Sequence, residues 1–253
     1  RRVSPLRTAP PRPFDHIAIV ASPGIVGREP EYIGEGNGKY ITRPTLILDS
    51  MMAMTHALYG MAVGASLLAI APEHAPAAMV VGFVAGFLPD IDAYADHRRT
   101  LHFPVCFTIA AAPAIGLAAL APSLWTVALA TALVAMALHA VMDAAGGGLS
   151  LRPWEEQPDR AVYSHFHGRW VAPRRLVEYD GSPSDLLLAL GAGIPLVAVT
   201  TGPLRALVAV TLVFSAGYVV VRKRLVEIVT VAIRYTPRRL HVLVPRRFDH
   251  LVE

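Results

Sequence analysis

The stretch GFLPDIDAYADHRRTLHFPV, residues 86–105, interrupts a chain that is otherwise strongly apolar. Between positions 90 and 102 it holds three aspartates, two histidines and two arginines. Apolar segments rich in small residues lie on both sides, and ionisable groups at the edge of such segments are costly unless they are paired, hydrated or bound to a cation. The stretch therefore predicts a polar site at the junction of two membrane-spanning helices.

The composition of the whole chain is typical of a membrane protein. Of its 253 residues, 54% are hydrophobic and 17% are charged, whereas soluble domains carry about 25% charged residues. A membrane-spanning helix needs about 20 predominantly apolar residues, and the second candidate segment is short enough to require tilting or shielding inside the bundle. We predict an all-α, polytopic bundle of about six transmembrane helices, formed by the segments 53–71, 76–89, 103–121, 123–142, 184–201 and 203–221.

The connections between these segments predict their orientation. Arginine is concentrated after the second segment, in the loop 143–183 and in the tail 222–253, and basic loops face the cytoplasm. We therefore expect a multi-pass protein of the cell membrane with both termini in the cytoplasm. The tail is basic and amphipathic, and it either lies at the lipid headgroups or continues the last helix. Alternation in AVYSHF and RWVA predicts a small hairpin within the cytoplasmic loop.

The first fifty residues differ from the rest of the chain. They are rich in Arg, Pro and Gly, contain no methionine and show no clear hydrophobic period. Segment 1–50 is either a disordered arm or upstream sequence translated ahead of a start at Met51, Met52 or Met54, and we favour the second interpretation. Segment 51–221 is then the membrane-embedded domain, and no function is expected before Met51.

The predicted topology collects histidines and aspartates from separate segments on the cytoplasmic side. Imidazole nitrogen and carboxylate oxygen suit Zn, Mn or a similar divalent metal, and His139 and Asp143 share one helical face. Taken singly, His56 fits an interfacial residue, and Asp90 with Asp92 fit helix caps. Taken together, the residues predict a site for one or two divalent ions, with the ligands His56, Asp90, Asp92, His102, His139 and Asp143.

Neighbouring polar residues are candidates for supporting roles. His97 is a general acid/base or a further ligand, and Arg98, with Arg99 as an accessory, is placed to hold an anionic group such as phosphate. His165 and His167 in the predicted hairpin are accessory candidates for ligation or proton transfer. We favour the plainer interpretation that these two histidines are solvated on the hairpin surface.

Four motifs in this order resemble the YdjM family, whose members are inner-membrane-associated, are described as LexA-binding and are predicted to be metal-dependent hydrolases. Arg99 replaces the family's glycine and Leu101 its threonine. The resemblance covers roughly residues 51–155 and implies a membrane-embedded, metal-dependent hydrolase-like domain. The motifs are MTHALYG, GFLPDID, HRRTLH and HAVMD, and the matching positions are Thr55 and His56, Leu88 to Asp92, His97, Arg98 and His102, and His139 with Asp143.

Three functions are compatible with these patterns. The first is a metal-dependent hydrolase that acts at the cytoplasmic face on a phosphoester of a lipid or lipid-linked substrate. The second is a metal-handling or transport protein, although transporters usually carry polar groups near the bilayer midplane. The third is a non-catalytic membrane adaptor with a structural metal and a protein partner. Membrane lipids are the expected partners, and no direct binding of nucleic acid is expected.

Overall fold

A computed structural model describes residues 52–150 and 152–235, and the expectations for segment 1–50 and for the end of the tail lie outside these residues. The described part is mostly helical. Its elements are α1 (Met52–Ala65), α2 (Ala75–Phe87), α3 (Pro104–Leu120), α4 (Leu124–Ala145), β1 (Val162–Ser164), β2 (Arg169–Val171), α5 (Pro183–Val199) and α6 (Gly202–Arg234), with 3-10 turns at Ser66–Ala69 and Leu88–Tyr94.

Among residues 52–150 and 152–235, three helices are long and apolar enough to cross a membrane, which supports the prediction of a membrane protein. They are Ala75–Ala93, Leu124–Ala145 and Gly202–Ala232. The second predicted segment reaches 19 residues because α2 continues into a 3-10 turn. The other three apolar helices are shorter than 18 residues, so the six-span bundle stays a prediction.

Helices α1 and α2 touch at their backbones. A Cβ atom on Gly60 would overlap the carbonyl oxygen of Gly82, and a Cβ atom on Gly82 would overlap that of Gly60. One turn further along, a Cβ atom on Gly86 would overlap the carbonyl oxygen of His56. Glycine at these positions allows a close approach of the two helices, and that approach places His56 beside the end of α2.

The apolar core joins α1 and α2 to α5 and α6. Leu58, Met61, Met79, Leu196 and Val208 are buried and form one cluster. Helix α4 packs against α1 and α2, and α3 packs against α4. The C-terminal end of α4 lies against the start of α1 and the end of α2, where the polar residues are concentrated.

The last helix and the hairpin complete the fold. Helix α6 runs without a break to Arg234, so the structure shows the second of the two alternatives for the start of the tail. Strands β1 and β2 pair in antiparallel fashion, with Tyr163 opposite Trp170. The main-chain N–H of Tyr163 donates to the carbonyl oxygen of Arg98 at 2.9 Å, and this bond attaches the hairpin to the polar stretch.

Candidate metal centre

The local structure of each segment directs its polar side chains toward the centre of the bundle. Pro89 has no N–H to donate, so the α2 hydrogen-bond pattern gives way to the 3-10 turn that carries Asp90 and Asp92. His139 and Asp143 lie one turn apart at the end of α4, and both are buried. His102 comes from the loop before α3 and is completely buried. Three separate segments thus contribute to one cluster.

Four side chains of this cluster each direct one ligand atom to a common point, and these atoms all lie within 4.8 Å of one another. The donors are Asp90, His102, His139 and Asp143. Ligand atoms about 2.1 Å from a tetrahedral ion lie about 3.4 Å apart. The observed separations are 3.0 Å for His102 Nε2–His139 Nε2, 2.8 Å for His102 Nε2–Asp143 Oδ2, 3.4 Å for His139 Nε2–Asp143 Oδ2, 3.5 Å for His139 Nε2–Asp90 Oδ1 and 4.0 Å for His102 Nε2–Asp90 Oδ1.

The tautomers of the two histidines follow from their other hydrogen bonds. Nδ1 of His139 lies 2.7 Å from the carbonyl oxygen of Gly86, which can only accept, so Nδ1 carries the proton. Nδ1 of His102 lies 2.8 Å from a carboxylate oxygen of Asp92 and donates in the same way. In the neutral rings, both Nε2 atoms therefore present lone pairs to each other and to the two carboxylates. Acceptors that converge in this way repel one another unless a metal ion or a proton lies between them.

Asp92 accepts hydrogen bonds from groups that surround the four donors. Its oxygens accept from Nδ1 of His102 at 2.8 Å and from Nδ1 of His97 at 2.9 Å. They also accept from the main-chain N–H groups of Arg98 at 3.2 Å and Leu101 at 3.1 Å. Asp92 therefore lies outside the four converging donors, and its role as a ligand stays a prediction. A carboxylate in this position fixes the orientation of a metal-binding histidine and raises its basicity.

His56 stands beside the four donors and not among them. Its Nδ1 is 3.7 Å from Oδ2 of Asp90, and its Nε2 is 3.8 Å from Oδ1 of Asp143. The centroid of its ring is 4.0 Å from that of His139. Within the part of the chain that the structure describes, both ring nitrogens are buried without a hydrogen-bond partner. His56 therefore contacts the outer oxygens of the two carboxylates, while their inner oxygens face the common point.

Arg98, the predicted anion clamp, is buried inside the protein, and its role toward an anion stays a prediction. Its Nη2 lies 3.1 Å from Oδ2 of Asp180 and 3.4 Å from Oδ1 of Asp143. Burial alone would lower the pKa of Arg98, but the charges of Asp143 and Asp180 outweigh it and raise the pKa above its usual value. The permanent cation beside Asp143 would repel a second metal ion there, so the geometry favours one ion over two.

His97 lies at the edge of the site. Its side chain is 11% exposed, and its ring centroid is 6.0 Å from that of His102. Nδ1 of His97 is hydrogen-bonded to Asp92, so Nε2 is the ring nitrogen that remains to exchange a proton with the surroundings. The structure thus places His97 close to the four donors but separated from them by the carboxylate that it shares with His102.

The accessory candidates lie further out, between the hairpin and the polar stretch. Nε2 of His165 is 2.6 Å from the carbonyl oxygen of Arg99, and its ring stacks on Phe103. His167 bonds through Nδ1 to the hydroxyl of Ser164 at 2.9 Å. The exposed Arg99 places its guanidinium over the ring of Tyr163. None of these three candidates reaches the common point of the described donors.

Two carboxylates of the region were missed in the sequence. Asp180 pairs with Arg98 across 82 positions, and no spacing rule connects them. Asp185 accepts from Thr55 Oγ1 at 2.6 Å and from the N–H of Gly181 at 2.9 Å. Thr55 precedes His56, so this bond ties the start of α1 to the start of α5. Asp185 lies in the first turn of α5, where the hydroxyl of Ser182 caps the helix, but nothing in the sequence connects it with Thr55.

The chain matches no family model, no curated protein and no solved structure. The resemblance to the YdjM family therefore stays a prediction that rests on the four motifs alone. The site is instead described by its own geometry. Two imidazoles and two carboxylates form a buried cluster that could hold a divalent metal ion, in a chain with apolar helices long enough to span a membrane.

Proposed function

We propose that this protein is a membrane-embedded, metal-dependent hydrolase of the YdjM type. The convergence of the Nε2 lone pairs of His102 and His139 with the carboxylates of Asp90 and Asp143 carries this proposal. The two carboxylates carry one negative charge each and the neutral imidazoles carry none, so one divalent ion neutralises the set. Mixed nitrogen and oxygen donors suit Zn or Mn.

A divalent ion supplies Lewis acidity, because it polarises a phosphoryl oxygen and lowers the pKa of water. The side chains around it have separate tasks. Asp92 holds His102 in the ligating tautomer, and the carbonyl oxygen of Gly86 does the same for His139. Arg98 balances the charge of Asp143 and Asp180. His97 is proposed to exchange a proton through Nε2, since it is the partly exposed imidazole of the site.

The proposed setting is a six-span bundle with both termini and the metal centre on the cytoplasmic side. Basic loops support this orientation, and the three long apolar helices support the membrane location. At this depth a lipid or lipid-linked phosphoester presents its scissile group to the site. The substrate class is inferred from this location.

The burial of the donors supports a second candidate, a membrane adaptor with a structural metal. All four ligand side chains are at most 5% exposed. Structural metal sites are closed, whereas catalytic sites keep one coordination position open. A protein partner of the adaptor would then bind elsewhere on the cytoplasmic surface.

Metal content and turnover distinguish the two candidates. Protein purified in detergent is expected to bind one divalent ion and to hydrolyse a lipid phosphomonoester or phosphodiester, and a chelator is expected to abolish the activity. His139→Ala serves as the variant that lacks a donor, and His74→Ala serves as a control outside the cluster. Chelator-sensitive turnover that is lost in His139→Ala supports the hydrolase. Bound metal without turnover of any ester rejects the hydrolase and favours the adaptor.

A further inference from the structure

An apolar groove lies next to the metal centre, between α4 and α5. It has a volume of about 440 Å³, and its walls include Leu138 and Met142 of α4, Leu187 and Leu188 of α5, and Tyr59 of α1. Leu187 is 68% exposed, so the groove is open at its side. In a membrane, an open apolar groove of this kind faces the acyl chains of lipids.

The groove runs along the same turns of α4 that carry the metal donors. Leu138 and Met142 line the groove, and the residues that follow them, His139 and Asp143, face the cluster. Successive residues of an α-helix point about 100° apart, given 3.6 residues per turn. The groove and the centre therefore occupy neighbouring faces of one helix at one depth. From Leu138 to Ala145 the groove extends about 10 Å along the helix, given a rise of about 1.5 Å per residue.

The cytoplasmic mouth of the groove carries positive charge. The main-chain N–H of Arg174 donates to the carbonyl oxygen of Ala144 in the last turn of α4, and that of Arg175 donates to the carbonyl oxygen of the capping residue Gly146. Both arginines are exposed, and the next residue in the chain, Leu176, lines the groove. The guanidinium of Arg175 also donates to the carbonyl oxygen of Pro158 at 2.8 Å. Cations at a helix C-terminus also stabilise the helix dipole, but their position beside an apolar groove matches an amphipath with an anionic head.

A second apolar cavity, of about 470 Å³, provides a comparison. It lies between α1, α3 and α4, at the ends of these helices that are far from the metal centre, near Leu67 and Ile115. The described residues that line this cavity are uncharged, as are those that line the groove. Both cavities could accommodate an apolar chain, but only the groove between α4 and α5 combines an apolar wall, basic residues at its mouth and the metal centre on the adjacent helix face.

From this combination we infer that the groove between α4 and α5 binds an acyl chain of an inner-leaflet lipid with a phosphate headgroup. The chain lies along α4, and the phosphate reaches the level of Arg174 and Arg175. That this lipid is also the substrate of the metal centre rests on the proposed function. Lipid binding itself does not require turnover.

The test uses full-length protein in nanodiscs that contain phosphatidic acid with a photoreactive group on its acyl chain. Labelling is expected on α4 and α5 around Leu188. Leu188→Trp fills the groove and should lower this labelling about tenfold, because several methylene groups lose their contacts. Ile115→Trp fills the other cavity and should leave the labelling of α4 and α5 unchanged. The double variant Arg174→Gln/Arg175→Gln should reduce labelling about fivefold per arginine for phosphatidic acid and leave labelling by phosphatidylcholine unchanged.

The outcomes separate this inference from the proposed function. Equal labelling of all lipid-facing helices, or full labelling in Leu188→Trp, would overturn the groove as a binding site. Should Leu188→Trp fail to fold, the arginine variant decides the question by its selectivity between the two lipids. Groove labelling without turnover retains the binding site and rejects the hydrolase. Turnover that is unchanged in Leu188→Trp, while labelling falls, retains the hydrolase and the binding site and rejects the groove lipid as its substrate.

Discussion

Nδ1 of His139 donates to the main-chain carbonyl oxygen of Gly86 at 2.7 Å. The same glycine lies against the carbonyl oxygen of His56, where a Cβ atom would overlap it. One residue without a side chain therefore brings α1 and α2 together and also orients a donor on α4. The close packing of the helices and the geometry of the metal centre are coupled at this point.

A methyl group at position 86 should consequently disturb both the fold and the site. Gly86→Ala is expected to lower the free energy of unfolding by about 1–3 kcal/mol, the usual cost of overpacking, and to weaken metal binding. Gly116→Ala is the matched control, because a Cβ atom there meets nothing within 4 Å. Thermal unfolding in detergent and metal analysis provide the two measurements. Equal stability of the two variants would contradict the close approach of α1 and α2.

The four converging donors predict the metal stoichiometry. Wild-type protein is expected to bind one divalent ion per chain, because Arg98 supplies the cationic charge beside the outer oxygen of Asp143. Asp90→Ala is expected to weaken binding by about tenfold or more, since even residues behind the ligands contribute that much. Inductively coupled plasma mass spectrometry of dialysed protein measures the metal content. Two ions per chain in the wild type would contradict this stoichiometry.

Asp92 should behave differently from Asp90. Asp92→Asn keeps the shape of the side chain but weakens the hydrogen bonds that orient His102 and His97. The expected loss is about 10–100-fold in metal affinity, with binding retained at saturating metal. Titration with a competing chelator measures the affinity. A complete loss of binding, as expected for a missing donor, would make Asp92 a direct ligand.

Arg98 should act on stability through the two carboxylates that it contacts. Arg98→Ala leaves Asp143 and Asp180 without their cation, and removal of one partner of a buried ion pair costs about 3–5 kcal/mol. Arg98→Lys should recover only part of this loss, because lysine lacks the planar donor arrangement of arginine. The control is Arg99→Ala, an exposed position where about 0.5 kcal/mol or less is expected. Thermal unfolding of metal-free protein measures the difference in stability between the two alanine variants. Equal effects would argue against the pairing of Arg98 with Asp143 and Asp180.

The predicted orientation can be measured with single cysteines. The only natural cysteine, Cys106, is first replaced by alanine, since it is exposed. Glu73→Cys and Asp159→Cys then place thiols at exposed positions in two different connections. A membrane-impermeant maleimide added to intact cells should label Glu73→Cys but not Asp159→Cys, and permeabilised cells should label both. The reverse pattern would place the metal centre on the outer side.

Much of the helical layout followed from local patterns. The length of the apolar segments predicted helices that the structure places at Pro104–Leu120 and Leu124–Ala145. The spacing of His139 and Asp143 predicted that they share a face, and alternation around Gly168 predicted the hairpin. These features depend on neighbours within a few residues, so they can be recognised in a single sequence. The length of the second segment was underestimated, because Pro89 marks the end of the α-helix but not of the 3-10 turn that follows.

The roles within the site depended on the tertiary structure. Asp90 and Asp92 are two positions apart and chemically identical in the sequence, yet one faces the common point and the other lies behind His102. Arg98 turns inward because Asp180, 82 residues further along the chain, provides its partner. The order of residues along the chain determined that ionisable groups lie next to apolar helices. Only the fold decided which atoms meet, because lone pairs and charges act over a few ångströms in space, whatever their separation along the chain.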